Sequence, residues 1–531
     1  MPACVGAVRL TSATQLTLSR QTQDLAQLMF HELTARGVLR ANCLHAFRGC
    51  ALYALDLSHC QRLDDKLAAA VVEEHASSLQ TLSLKDAVWL SDNVLGALRG
   101  CAQLRSLTLS GCASITDRGI ACLRGCASLE HLGLSGCVNI TNASMYTLAA
   151  CRRLHILDLN QCKAISDLGP LTGLPLRSLV LGWTAVDDES MDDVASMAAL
   201  ETLVLDRTDV GDAGIAAVCN GCTRLAVLSL SGCSVGRTIG TSLAALRNLQ
   251  EVNLSHTQFG DAGLAAWCSQ PQKQMRVLNL AHTEVTGTAL RSHGEAMSEL
   301  QALDLDGTHT AGEAVIPFRQ LRRLNLADTA ITDACMEHVC SLPHLETLNL
   351  AFCAVTSASL RRWPLPASLR TLDMDTTRSI SVSELVHLSR LECLTLPDGL
   401  SDASIVLLSR FRDSLTSLDL CSSNITDVGI VHITQLGRLK RLSLPHSKIT
   451  DAAMPLLCAT LRQLQTLNLS GTTLADEGLQ TLVDSAPPSL ISVCLIGTAV
   501  TETAVRQAAE RRPSMRVSIA LKQQHKQRGI H

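Results

Sequence analysis

The chain has 531 residues, of which 47% are hydrophobic but only 2% aromatic, so its core must consist of aliphatic side chains and cysteine rather than rings. Its 45 basic and 49 acidic residues give a net charge of −4, which argues against nucleic acid as a direct ligand. No apolar run reaches the roughly 18 residues of a membrane span, so we expect a cytoplasmic protein, with cytoskeletal or organellar association left open.

The N-terminal segment, residues 1–51, contains TQLTLS and then LAQLMFHELTARGVL. The second stretch has the apolar spacing of a helix. We interpret the segment as an N-terminal cap or a degenerate first repeat of the pattern that follows.

A hexad of the form L-x-x-L-x-L then recurs with a mean spacing of about 24 residues. It starts 19 times, at Leu52, Leu79, Leu104, Leu129, Leu154, Leu176, Leu200, Leu225, Leu249, Met275, Leu300, Leu321, Leu345, Leu369, Leu391, Leu415, Leu439, Leu464 and Leu490. We number each repeat from the first residue of its hexad. The alternation predicts a strand whose leucines point into a core, while positions 3, 5 and 7 point outwards. A pair such as Thr-Asp, as in ITD at 115–117, then predicts a helix N-terminus.

This pattern resembles the cysteine-containing class of leucine-rich repeats, familiar from F-box/leucine-rich-repeat proteins, over about residues 52–510. The resemblance implies an α/β fold, a right-handed leucine-rich-repeat solenoid or horseshoe with a parallel concave sheet and convex helices. Residues 52–510 would then form about 19 repeats, and residues 511–531 a C-terminal cap strand with a basic polar tail. An F-box is the alternative for residues 1–51, although the segment lacks a Leu-Pro start and a tryptophan.

Six cysteines alternate at intervals of 11 and 14 residues, which add up to the local repeat length of 25: Cys101, Cys112, Cys126, Cys137, Cys151 and Cys162. Position 9 holds Cys112, Cys137 and Cys162 here, but threonine in more of the other repeats. A position that accepts threonine does not select a metal ligand or a disulfide, so we predict reduced, buried, structural cysteines. We expect no metal or cofactor, and the absence of phosphate-loop, hydrolase and zincin motifs predicts that the protein is not an enzyme.

The outward positions of the hexads carry nine acidic residues against three basic ones, so the concave face is predicted to be acidic. Aspartate also belongs to the consensus of such repeats, which makes a solvated structural role the alternative. Two aromatic residues stand at position 8, which we call the rim position, where burial under a loop is the alternative. The candidate partner-binding residues are Trp183, Phe352, Asp206, Glu251 and the paired acids Asp304, Asp306, Asp373 and Asp375.

These features predict a non-enzymatic protein–protein interaction scaffold that binds a protein partner with a basic surface along its concave face. We expect it to act as a subunit of a large assembly of the cytoskeletal, axonemal or ribonucleoprotein kind. The resemblance implies an alternative, the substrate-recognition subunit of a ubiquitin ligase. The sequence leaves homo-oligomerisation open.

Overall fold

The computed structural model describes residues 20–35, 47–58, 64–377, 380–421 and 423–519. The stretch TQLTLS and the basic residues Lys522, Lys526 and Arg528 of the predicted tail lie outside the described residues. The chain divides into two compact units, Met1–Met275 and Arg276–His531. Each is a succession of repeats in which a short strand is followed by a turn and a short helix.

Within its described residues, the first unit has nine strands, which pair in parallel and in chain order: Ala54–Asp56, Thr81–Ser83, Ser106–Thr108, His131–Gly133, Ile156–Asp158, Ser178–Val180, Thr202–Val204, Val227–Ser229 and Glu251–Asn253. Its α-helices are Arg20–Ala35, Asp65–His75, Asp92–Ala97, Asp117–Ile120, Asn142–Leu148, Ser190–Ala195, Asp212–Gly221, Ile239–Leu243 and Asp261–Trp267. Its 3-10 helices are Leu98–Gly100, Ala121–Gly125 and Gly169–Leu171.

The described part of the second unit has eleven parallel strands: Val277–Asn279, Ala302–Asp304, Arg323–Asn325, Thr347–Asn349, Thr371–Asp373, Cys393–Leu396, Ser417–Leu420, Arg441–Ser443, Thr466–Asn468, Ser492–Cys494 and Arg516–Ser518. Its α-helices are Gly287–His293, Met336–Cys340, Ser357–Arg362, Asp427–Ile433, Met454–Thr460, Asp476–Ser485 and Glu502–Arg511. Its 3-10 helices are Gly294–Met297, Gly312–Val315, Asp333–Cys335, Val382–Glu384, Val406–Phe411 and Asp451–Ala453.

The core of each unit lies between its strands and its helices. In the repeat that starts at Leu104, the hexad leucines Leu104, Leu107 and Leu109 are all fully buried. Leu82, Leu107 and Leu132 pair with one another on successive strands, so equal positions of the hexad stack in register. The predicted α/β class, with a parallel sheet on one side and helices on the other, is confirmed. We call these two sides of each unit the sheet face and the helix face.

The Thr-Asp pair does more than start a helix. The Thr116 hydroxyl accepts the backbone N–H of Arg118 and so caps its own helix. The next residue, Asp117, accepts the backbone N–H of Thr141 at 2.8 Å and its hydroxyl at 2.7 Å, in the following repeat. The same two bonds join Asp92 to Thr116. The threonine therefore caps its own helix, as predicted, while the aspartate ties successive repeats together.

The N-terminal helix covers the open edge of the first strand. In an interior repeat, the N–H groups of Arg105 and Ser106 both donate to the Gln80 carbonyl of the preceding repeat. At the first strand, the N–H groups of Tyr53 and Ala54 donate instead to the side-chain oxygen of Gln27, each at 3.1 Å. The Gln27 amide nitrogen donates to the Ala54 carbonyl at 2.7 Å. The Gln27 side chain thus satisfies backbone groups that a preceding strand would otherwise bind.

Among the helices that the structure describes, none combines the length and the apolar character needed to cross a membrane. The described residues also contain no group of three or more His, Cys, Asp or Glu side chains arranged to hold a metal ion.

Candidate partner-binding surface

The rim position, which ends the sheet face, has a left-handed backbone in every repeat whose rim residue the structure describes, except the repeat that starts at Leu391, where Asp398 stands. Its φ angle is positive at Asp86, Gln161, Trp183, Arg207, His256, His282, Asp328, Phe352, Thr376 and His446, and at the glycines 111, 136, 232, 307, 471 and 497. This conformation is uncommon for residues other than glycine and is disfavoured most for bulky ones. A large side chain at the rim position is therefore held there at a conformational cost.

Phe352 is the most exposed aromatic side chain of the sheet face in the described residues. Its φ is 60°, and 59% of the residue is exposed. Its backbone N–H donates to the Asp375 carbonyl at 2.9 Å, which fixes the turn. The ring lies at a hollow of about 440 Å³ that is also lined by Asp306, Ala327, Asp328, Asn349, Ala351, Asp373 and Asp375. We call these eight residues the Phe352 hollow.

The hollow exists because of side-chain size at position 7. Four successive repeats carry Asp306, Ala327, Ala351 and Asp375 at that position. The two alanines are buried and form the bottom of the hollow, while the two aspartates lie on either side of it. Strands are about 4.8 Å apart, so the flanking aspartates lie about 14 Å from each other. This is enough room for one or two long side chains.

The paired acids divide into two roles. At position 5, Asp304 and Asp373 accept the backbone N–H two residues ahead, at 3.2 and 3.0 Å, as Asn349 does at the same position. The pKa of Asp373 is raised, mainly by burial and also by the negative charge of Asp375. The hydrogen bond from the Asp375 backbone N–H acts in the opposite direction and lowers the pKa. Asp304 and Asp373 therefore shape the turn, whereas Asp306 and Asp375 at position 7 face the hollow.

A second hollow on the sheet face of the second unit adjoins this one. A depression of about 380 Å³ is lined by positions 3 to 5 of neighbouring strands, including Val277, Ala302 and Arg323. Asn349 lines both depressions. An extended segment that lies along a strand direction would meet the position-3 residues Val277, Ala302, Arg323 and Thr347 first and the acidic hollow next.

The remaining candidates belong to the first unit and do not line the Phe352 hollow. Trp183 has a φ of 58° and is 49% exposed, and the Arg207 guanidinium lies 5.6 Å from its ring centroid. Asp206 accepts a hydrogen bond from the Ser229 hydroxyl at 2.5 Å and one from the Ser231 backbone N–H at 3.0 Å. Its carboxylate therefore joins its own repeat to the next one. Glu251 is exposed on its strand.

Comparison with known proteins identifies the repeats. Two family models, both described as leucine-rich repeats, match residues 413–474 and residues 100–123, 245–266 and 341–361. The chain contains leucine-rich repeats. The ribonuclease inhibitor of Sus scrofa is 29% identical over 212 residues, which cover 33% of this chain and 46% of that protein. The ribonuclease inhibitor of Mus musculus is 26% identical over 327 residues, covering 54% and 68%. The match thus spans less than half of the Sus scrofa protein.

Among solved structures, the mouse RP105/MD-1 complex is similar, with a TM-score of 0.47 at 15% identity. The match covers 88% of this chain and 85% of that one.

The sequence analysis singled out Phe352 but not Asp328, its neighbour in the hollow. Asp328 stands at the rim position of the preceding leucine-rich repeat, where only aromatic residues were singled out. Asp328 could have been identified from the sequence, because residues at one position in successive repeats become neighbours once the strands stack in register. Reading the rim position as a continuous row would have placed Asp328 beside Phe352.

Proposed function

We propose that this protein is a non-enzymatic scaffold that binds a basic segment of a protein partner on the sheet face of its second unit. The observation that carries the proposal is Phe352, an exposed ring held in a left-handed conformation and surrounded by carboxylates. A bulky residue persists in such a conformation when the surrounding structure or a function requires it. The relatedness to ribonuclease inhibitors supports a binding role over catalysis.

The chemistry of the hollow favours a cationic side chain. An aromatic face attracts Arg or Lys by about 0.5 to 2 kcal/mol, according to how far the pair is desolvated. Asp306, Asp328 and Asp375 supply negative charge around the same ring. Complementary charge also speeds encounter and selects against acidic partners. The partner is therefore a protein that presents Arg or Lys on an extended or loop segment.

The test is affinity capture from cell extract with the full chain as bait, followed by quantitative mass spectrometry. Phe352→Gly removes the ring and suits a positive φ, so it deletes the contact without straining the fold. The triple variant Asp306→Asn, Asp328→Asn, Asp375→Asn removes charge with little change in shape. We expect each to lose the partners that the wild type captures. His446→Gly, at another left-handed rim position, is the matched control and should retain them. Unchanged recovery by both hollow variants would contradict the proposal.

We also propose that residues 1–51 cap the first repeat, and the bonds of Gln27 to Tyr53 and Ala54 support this. The ubiquitin-ligase alternative and membership of a particular large assembly stay predictions. An F-box would have to include residues 36–46, which lie outside the described residues. A cytoplasmic location likewise stays a prediction.

A further inference from the structure

The helix face of the second unit carries a concentrated set of exposed apolar side chains. Between residues 64 and 519, seven large apolar residues of the described helix face are exposed, and six of them lie within residues 386–456. The seventh is Tyr146, whose hydroxyl donates to Asp167 at 3.1 Å. The six are Val386, Val406, Leu407, Val428, Val431 and Leu456, with exposed fractions from 37% to 67%. We call these six residues the apolar row.

The apolar row is continuous because its members recur at one place in successive repeats. Val386, Leu407, Val431 and Leu456 stand at position 17 or 18 of the four repeats that start at Leu369, Leu391, Leu415 and Leu439. Val386 lies in the turn after the 3-10 helix Val382–Glu384, and the other three lie in helical segments. Neighbouring segments of this kind pack about 8 to 10 Å apart, so the four side chains extend along a line of about 27 Å. Exposed apolar surface that is contiguous in this way marks interaction sites rather than ordinary surface.

The two edges of the apolar row differ in charge. Exposed arginines stand between the helical segment and the next hexad at Arg390, Arg438 and Arg462, and within the 3-10 helix Val406–Phe411 at Arg410. Within the described part of the chain, none of these four forms an ion pair.

The acids at the opposite edge are already engaged. Asp402 binds Thr426, Asp427 binds Thr450, and Asp451 accepts the Ala475 backbone N–H. A ligand that approaches the apolar row therefore meets available positive charge along one edge only.

We infer that the apolar row is a docking face for an amphipathic helix of a protein partner, with Asp or Glu along one border of its apolar stripe. A helix rises 1.5 Å per residue, so about 18 residues match the length of the row. Such a helix buries its aliphatic stripe on the row and pairs its acids with the arginine edge. This inference goes beyond the function proposed above, since it concerns the opposite face of the repeats and a ligand of opposite charge.

Two other occupants fit the observations less well. A second copy of this chain, placed face to face by a two-fold axis, would bring arginine edge against arginine edge or against the engaged aspartates. An anionic membrane would suit the arginines, but the apolar row has no Trp or Tyr, the residues typical of membrane interfaces.

The test uses the full chain and synthetic, fluorescently labelled peptides of about 18 residues. The first has a leucine stripe bordered by Glu, the second has Lys in place of every Glu, and the third is a scramble of the first. We expect the Glu peptide to bind at least about tenfold more tightly than the others, by fluorescence anisotropy at low salt.

Variants of exposed residues locate the binding. The double variant Leu407→Ser, Val431→Ser should weaken binding of the Glu peptide by roughly tenfold or more, because two apolar contacts are lost. Arg410→Gln with Arg438→Gln should weaken it and reduce its salt dependence. Tyr146→Ser, on the helix face of the other unit, should have no effect.

Four outcomes would overturn the inference. These are failure of the wild type to bind the Glu peptide, equal binding of the Lys peptide, a homodimer in sedimentation that the Ser variant dissociates, and binding of phosphatidylserine vesicles without discrimination among peptides. The third would assign the apolar row to a second copy and the fourth to a membrane. None of them bears on capture through the Phe352 hollow.

Discussion

At the scale of single residues, position 9 shows how cysteine and threonine serve the same purpose by different bonds. The Cys137 thiol donates to the Leu109 carbonyl of the preceding repeat at 3.2 Å, and Cys162 donates to Leu134 in the same way. Thr184 donates instead to the Leu181 carbonyl of its own repeat at 2.6 Å. Both give a small, buried group a hydrogen bond to the turn, as the exchange of Thr for Cys predicted.

The buried thiols are expected to be unreactive in the native protein. Burial raises the pKa of Cys137 to about 12, and the charges of Cys162 and Cys112 add to the rise. At pH 8 roughly one thiol in ten thousand is then ionised, and the thiolate is the reactive form. In a thiol titration we expect the full count of 22 reactive cysteines to be reached only after denaturation. Position 9 should stay unmodified in native protein, as mass spectrometry can show, whereas native disulfides would contradict the prediction.

The left-handed rim position is the main residue-scale feature that the sequence analysis did not predict. Gly111, Gly136 and Gly232 at this position were its signal, because glycine accepts a positive φ without cost. The signal was weak since other repeats place His, Asp, Trp or Phe there. Those residues are held by tertiary structure: the N–H of Trp183, for example, donates to the Asp206 carbonyl of the next repeat at 2.8 Å.

At the scale of elements, the aspartate that follows the helix cap stabilises the stack of repeats. Burial acts to raise the pKa of Asp117, but hydrogen bonds from Ser144 and Thr141 outweigh it, so the pKa lies below its usual value of 3.8. A lowered carboxyl pKa means that the charged form stabilises the fold. This contribution is present above pH 3.8 and is lost as the pH falls through the lower, folded-state pKa.

We expect Asp117→Ala to lower the free energy of unfolding at neutral pH by about 1 to 3 kcal/mol, because two or three bonds to a carboxylate are lost. The difference from wild type should shrink as the pH falls below 3.8. Urea unfolding at several pH values measures both effects, and hydrogen exchange over residues 139–148 locates them. Asp413→Asn, at an aspartate whose side chain is 89% exposed, is the control and should change little. An equal difference from wild type at every pH would refute the role of the charge.

The helices were predicted to follow each Thr-Asp or Ser-Asp pair, yet several repeats have only a 3-10 helix. The repeats that start at Leu154, Leu300 and Leu369 are 21 or 22 residues long, and their helical segments are Gly169–Leu171, Gly312–Val315 and Val382–Glu384. A 3-10 helix rises about 2.0 Å per residue against 1.5 Å in an α-helix, so fewer residues cover the same distance. Repeat length alone does not decide the helix type, because the repeat that starts at Leu391 is 24 residues long and also has only a 3-10 helix, Val406–Phe411.

At the scale of the whole molecule, the second unit presents two chemically opposite surfaces, which share only the repeat that starts at Leu369. The sheet face offers Phe352 among carboxylates, and the helix face offers the apolar row beside arginines. The sequence predicted the acidic bias of the sheet face, because strand periodicity fixes which side chains point outwards. It did not predict the apolar row, because short helices with varied starts do not reveal from sequence which apolar residues remain exposed.

The two surfaces should act independently, which is what a scaffold requires. The hydrophobic core of the repeats separates them, and distant sites without shared contacts usually contribute additively. Phe352→Gly should therefore leave the affinity for the Glu-bordered peptide within about twofold, and the double variant Leu407→Ser, Val431→Ser should leave capture through the hollow unchanged. Saturating the helix face with that peptide during capture is the direct measurement, with the scrambled peptide as control. If the Glu-bordered peptide alone displaced the partner held by the hollow, the two faces would form one coupled site, and the chain would bind one ligand at a time rather than join two.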